Sequence, residues 1–242
     1  MSSLSFMRRP VLTNVARKRA NYSSPAILAR RARILELARE LVAEQGLAGF
    51  SVSELGQRAG VAKQTIYNIF QTKERMIATA INEYFEQRED QIRYRSPPAT
   101  MERMIERTII AGRRVVELPH YMSALMMIYF SADADADIWA AIQRSTTHAH
   151  KPWIESLAAD GMLQSWAAPD LLVADMAVLR NGITLEWCRG HIDMEEALRR
   201  KVIGLLTLAA GATREPVRGA AEVRLEEIVA RGVPDYRTPA TA

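Results

Sequence analysis

The sequence predicts an all-α protein. Apolar residues recur at three-, four- and seven-residue spacings along most of the chain, and no segment gives a clear strand signal. Punctuation agrees with that reading, since Pro stands at candidate helix starts and Gly at candidate ends. Of 242 residues, 48% are apolar and 25% charged, which suits an ordinary folded chain and excludes wholesale disorder. No stretch approaches the ~18 apolar residues needed to cross a bilayer, and the first residues lack the apolar block of a secretion signal. The expectation is a cytoplasmic protein without membrane contact. A single cysteine, Cys188, excludes intrachain disulfides and cysteine-cage zinc sites.

Charge is divided unequally. Residues 1–75 hold 13 Lys/Arg and 5 Asp/Glu, net +8, whereas residues 76–242 hold 19 and 23, net −4. Eight basic residues precede the first acid, Glu36. Such asymmetry points to a polyanion partner for the N-terminal part.

Residues 1–24 carry Arg, Asn and Ser without sustained periodicity and read as a basic arm. A first helix starts at Pro25, with Ile34, Leu35, Ala38, Leu41 and Val42 on one face, and runs to Gly46. After the link 47–50, Ser51 and Glu54 have the spacing of a capping box, in which each side chain satisfies a backbone N–H near the other residue. That opens a short second helix ending at Ala59. Gly60 interrupts the pattern, and helical spacing resumes over 63–70 with Ile66, Ile69 and Phe70 inside. The opposite face carries Lys63, Gln64, Thr65, Tyr67 and Asn68, hydrogen-bonding types without one acid. A polar outer face on a helix is either simply solvated or made to touch a partner, and its place beside the net +8 segment favours the partner.

The runs LVAEQG (41–46), FSVSELGQRA (50–59) and GVAKQTIYNIFQTKE (60–74) resemble the DNA-binding domain of tetracycline-repressor-like (TetR family) bacterial regulators, over about residues 30–80. Two positions depart from the family's pattern. Gly56 stands where Ala is usual, costing up to ~1 kcal/mol of helix propensity. Ala62 stands where Ser often caps the recognition helix, so that helix must be started by packing or by phosphates. The resemblance implies a three-helix helix-turn-helix DNA-binding domain over 25–73, a larger helical effector-binding and dimerisation domain over 74–211, and a C-terminal tail over 212–242 with a possible short helix.

A helix of this size fits a major groove, where base edges specify sequence and phosphates supply grip. Lys63, Gln64 and Asn68 are the candidates for base edges, since Lys donates to guanine and Gln or Asn pairs with adenine. By resemblance, Ser51, Thr65, Tyr67 and Lys73 hold phosphates. Tyr67 has a second reading, an aromatic packed on the first helix with its hydroxyl wet. The basic arm is a candidate for the adjacent minor groove.

Further helices are expected over 74–95, broken by Ser96-Pro97-Pro98; over 100–118, 120–131 and 135–160; over 170–189 and 193–211; and weakly over 217–231, followed by a loosely held Pro/Thr tail. The helix over 74–95 should join the two domains mechanically. By the family's layout, the helices over 171–189 and 194–210 pair with their copies across a twofold axis, small residues such as Gly182 and Gly204 among them. A wholly intramolecular core is the other reading of their apolar faces. Met and aromatic residues gather between these parts, and Met104, Tyr121, Met126, Tyr129, Trp139 and Trp153 are the expected lining of a pocket for a largely apolar small molecule.

Other chemistry fails on spacing. Asp133, Asp135 and Asp137 imitate a calcium loop, but Ile138 occupies the Gly position and Arg144 the Glu position, so the run reads as a loop leading to a helix cap. His148 and His150, two apart, point to different sides of a helix. No nucleophile cluster, phosphate loop or dinucleotide fingerprint is present. The expectation is no catalytic residue, no metal and no cofactor. The function expected is a sequence-specific transcriptional regulator, a ligand-responsive repressor that binds a pseudo-palindromic double-stranded DNA operator as a homodimer. The alternative is a helical enzyme or protein-interaction adaptor with an incidental N-terminal domain.

Overall fold

The computed structural model describes residues 24–236, in which the chain forms eleven helices and one isolated β-bridge, Leu163 to Thr213. The basic arm expected over 1–24 lies outside the described residues except for Ser24, whose hydroxyl caps the first helix by accepting from Ile27 N–H. That helix, α1 (Pro25–Gly49), loses helical geometry at Gly46, with φ 66° and ψ −176°. α2 (Val52–Ala59) and α3 (Lys63–Phe70) follow as their spacing predicts. α4 (Lys73–Asp90) is capped by Thr72, which accepts from Arg75 N–H at 3.0 Å.

α4 ends short of the expected residue 95. Glu106 accepts from the backbone N–H groups of Arg95 and Ser96, both at 2.9 Å, so these donors are used outside a helix. Arg103 stacks over the Tyr94 ring at 4.3 Å, and the Tyr94 hydroxyl donates to Glu89 at 2.8 Å. The segment folds back on the end of α4 and leads into α5 (Met101–Val115).

α6 (Pro119–Tyr129) begins one residue before its expected start. The single helix expected over 135–160 is two, α7 (Ala136–Thr147) and α8 (Lys151–Ala159). Pro152 has no N–H for a continuing helix and its ring crowds the carbonyl four residues back, so the chain turns at 148–150 and restarts. Asp135 caps α7, accepting from Asp137 N–H at 2.9 Å and Ile138 N–H at 3.2 Å, the cap its acidic run suggests. α9 (Pro169–Cys188), α10 (Met194–Ala212) and α11 (Val217–Arg231) complete the chain. α11 packs along α10 and buries Ala221 and Ile228. Arg113 binds Asp235 at 2.8 Å, so the chain is held, not loose, as far as 236.

Two apolar clusters form the interior. The first joins Leu41, Leu55, Ile66 and Met76 of α1–α4 to Leu125 of α6 and Ile142 of α7. The second joins α5, α8, α9, α10 and α11, with Met104, Trp153, Met176 and Leu205 among its members. The first cluster therefore runs across residue 73, and the N-terminal helices share buried contacts with α6 and α7.

Candidate nucleic-acid interface and internal cavity

The turn between α2 and α3 depends on two glycines. Gly60 adopts φ 65°, a left-handed conformation that glycine enters without steric cost. Val61 N–H donates to Gly56 O at 2.9 Å, and this brings the chain so close that a Cβ on Gly56 would sit 2.8 Å from Val61 O. In this chain the turn approaches α2 closely enough that an Ala at 56 would require the Val61 carbonyl to shift. Ala62 makes no side-chain cap, and α3 is started by backbone bonds from Thr65 and Ile66 N–H to Ala62 O. Ser51 caps α2 by accepting from Glu54 N–H at 3.4 Å. Glu54 completes no capping box: its carboxylate accepts from Gln45 and from Arg58, which also binds Glu44.

Ile66 and Phe70 are buried, and they fix which face of α3 points outward. Lys63, Gln64 and Asn68 are all exposed there. Gln64 donates to Asn68 Oδ1 at 3.0 Å, and Lys63 Nζ lies 5.8 Å from the centre of the Tyr67 ring. Tyr67 is half-buried against the first cluster, as are Thr65, Ser51 and Lys73 in their own settings. All seven lie on or beside the α2–turn–α3 unit, in a surface that has no carboxylate on α3.

A second feature is a cavity of about 230 Å³ among α4, α5, α6, α7, α9 and α10. Phe85, Met122, Leu125, Met126 and Ile142 give it apolar walls. Arg107 also lines it and is bound on two sides, with Nη2 2.6 Å from Glu89 Oε1 and Nη1 donating to His148 O at 2.8 Å. Arg180 donates through Nη1 to Thr146 O while its Nε has no acceptor among the described residues. Lys201 is only 4% exposed, yet no hydrogen bond or ion pair reaches it from the described residues. Burial, with Arg180 nearby, pushes its ammonium down to about 7; burial and Arg107 lower Arg180 to about 10.

Residues 34–87 match the family model described as bacterial regulatory proteins of the tetR family. Over this segment the chain is similar to tetR-family regulatory proteins. Solved structures extend the likeness over the rest of the chain. A TetR transcriptional regulator from Rhodococcus sp. RHA1 shares 18% identity over 82% of this chain and 96% of its own, with a TM-score of 0.52. A tetR-family transcriptional regulator from Streptomyces coelicolor shares 18% over 88% and 92%, with a TM-score of 0.56. NalD of Pseudomonas aeruginosa, the secondary repressor of the MexAB-OprM multidrug efflux pump, shares 16% over 78% and 99%, with a TM-score of 0.54. No curated protein matches the chain by sequence. The fold is that of tetR-family transcriptional regulators, a helix-turn-helix domain followed by a larger helical part.

The cavity has a different lining from the pocket expected from the sequence. Of its six residues only Met126 lines the cavity. Met104 and Trp153 lie in the second apolar cluster and Tyr121 in the first. Tyr129 stacks on Trp139 at 5.6 Å and donates to Gln143, and neither aromatic lines the cavity. The residues missed are the cations. Lys201 carried a signal, because it falls three residues after Leu198 and four before Leu205, on the buried face of α10. Among the described residues no group of three or more His, Cys, Asp or Glu is placed to hold a metal, and no helix is long and apolar enough to cross a membrane. Cys188 is half-buried, and burial raises its thiol pKa, away from a reactive thiolate.

Proposed function

We propose that the protein is a sequence-specific transcriptional regulator that binds a pseudo-palindromic operator as a homodimer and is released from it by a small molecule. The observation that carries the DNA-binding part is the outward, acid-free face of α3 with Lys63, Gln64 and Asn68, held by the burial of Ile66 and Phe70. Lys63 and the Gln64–Asn68 pair read base edges, the pair exchanging its mutual hydrogen bond for bonds to adenine. Ser51, Thr65, Tyr67 and Lys73 hold phosphates. The role is binding and not catalysis.

A second copy is supported by α9, where Leu171 is 66% and Val178 49% exposed, seven residues apart and so on one helical face. A Cβ at Gly182, four residues further, would meet open space. To read a pseudo-palindrome, a dimer buried along that stripe must hold its two α3 helices ~34 Å apart, one duplex turn.

Regulation is supported by α4. Its first turns, with Met76 and Ile77, lie in the cluster that seats α3, and its later residues Phe85 and Glu89 line the cavity. An occupant that prefers a tilted α4 shifts the population to dimers whose α3 helices no longer match successive grooves. Moving the balance from 1:99 to 99:1 takes ~5.5 kcal/mol of differential affinity. The test is a band-shift titration with promoter DNA from beside the protein's own gene. Sequence-selective, salt-dependent binding supports the reading; weak, unselective binding contradicts it.

A further inference from the structure

We propose that the cavity takes a small organic carboxylate, its anionic group between Lys201 and Arg180 and its apolar body against Phe85, Met122, Leu125 and Ile142. The proposal rests on reading the cavity as the effector site and replaces the expectation of a largely apolar effector. Lys201 is 4% exposed and lines the cavity without a hydrogen bond or ion pair to the described residues, while Arg180 leaves its buried Nε unused. Among the described residues no carboxylate is available to either. Glu89 is engaged by Arg107 and Tyr94, and the other acid on the wall, Glu86, is exposed.

A buried cation without a counter-charge is costly, and two close together repel, as the depressed pKa of Lys201 registers. A plain apolar pocket is cheaper to build from Leu and Met, so two unpaired cations at one wall are accounted for by an anion that arrives with the ligand. With Nη1 of Arg180 committed to Thr146 O, Nε and Nη2 remain as the edge of the guanidinium that meets two carboxylate oxygens side by side. The volume, about 230 Å³, lies just below the ~300–1,000 Å³ of typical small-molecule sites and selects a small occupant.

The test is calorimetric titration of the full-length protein with hexanoate and benzoate, against hexan-1-ol, benzyl alcohol and hexylamine. The acids should bind at least ~10-fold more tightly than their alcohols, the difference expected of one charged hydrogen bond, and the amine should not bind. Lys201→Met should lose at least ~10-fold for the acids but none for the alcohols, and Arg180→Gln should act in the same direction. Acids that bind no better than alcohols, including a panel in which nothing binds, overturn the proposal, as does full acid affinity in Lys201→Met. The acid–alcohol contrast in the unaltered protein needs no variant to fold. A parallel band shift separates the two readings. Acids that bind without releasing DNA leave the anion site standing and count against regulation through it, whereas release of DNA by alcohols alone does the reverse.

Discussion

At the scale of single residues, His150 is the group whose titration the fold penalises most plainly. It is fully buried at the start of α8, with Nε2 2.9 Å from Val173 O and no partner for Nδ1 among the described residues. Burial, with Arg180 nearby, pushes its pKa down to about 3. Because the folded value lies below the ordinary value of 6.5, the unfolded chain takes up the proton first. The neutral ring's contribution is therefore complete above pH 6.5 and is lost as pH falls toward 3. Between pH 7.5 and 5 the loss should be about 2 kcal/mol, read by urea unfolding at both values, and His150→Gln should remove that part of the slope. An unchanged slope in the variant would mean that other groups carry it. Lys201 makes the converse case. Lys201→Met replaces a buried, unpaired ammonium by an apolar chain of similar length and should raise stability by about 1–3 kcal/mol, visible as a higher melting temperature, while Lys201→Gln should gain less. At the DNA surface, Lys73→Ala should weaken binding to all duplexes alike and lower the salt slope by ~1, whereas Lys63→Ala with Asn68→Ala should lose discrimination between sequences. The outward face of α3 was legible in the sequence because α3 is short and its inward residues are few. Lys201 and Arg180 were hidden because charged side chains on helices are ordinarily solvated, and only the packing of α9 and α10 shows them turned inward.

At the scale of elements, the α2–turn–α3 unit makes the sharpest prediction. Gly56→Ala gains helix propensity of up to ~1 kcal/mol but drives a Cβ to 2.8 Å from the Val61 carbonyl, a backbone atom that cannot step aside without opening the turn. The net effect should be destabilisation by about 1–3 kcal/mol in denaturant unfolding; a stabilised variant would show that the turn relaxes freely. Propensity alone gives the opposite sign, and the difference lies in a contact between residues five apart that no spacing rule contains. The same distinction explains where helix boundaries were legible. Pro25, Gly60 and the cap residues Ser51 and Asp135 act within one turn of themselves, and the elements they bound stand where the sequence puts them. The end of α4 is fixed by Glu106, eleven residues beyond Arg95, and the break at 148–150 by Pro152, which the apolar periodicity across it conceals.

At the scale of the whole molecule, the account joins an outward reading helix, a continuous core from α3 through α4 to the cavity wall, and an apolar stripe on α9 suited to a twin. Val178→Asp, at the middle of that stripe, should yield a monomer by sedimentation with the helical content retained, and its operator affinity should fall by ~100-fold or more, since a single half-site contributes far less than two linked ones. A dimer unaffected by that change would move the interface elsewhere. The layout over 74–211 was legible only as a run of helices, because Leu, Met and Val on α9 and α10 serve an internal core and an external partner equally well by composition; the exposure of Leu171 and Val178 keeps these two side chains out of the internal core. The most direct test of the central claim is a titration of the unaltered protein against its promoter DNA and a scrambled duplex of equal length, at several salt concentrations. The account predicts a single preferred site bound at least ~10³-fold more tightly than the scrambled sequence, as two protomers, with affinity falling steeply as salt rises. Equal affinity for both duplexes, or none for either, would contradict it.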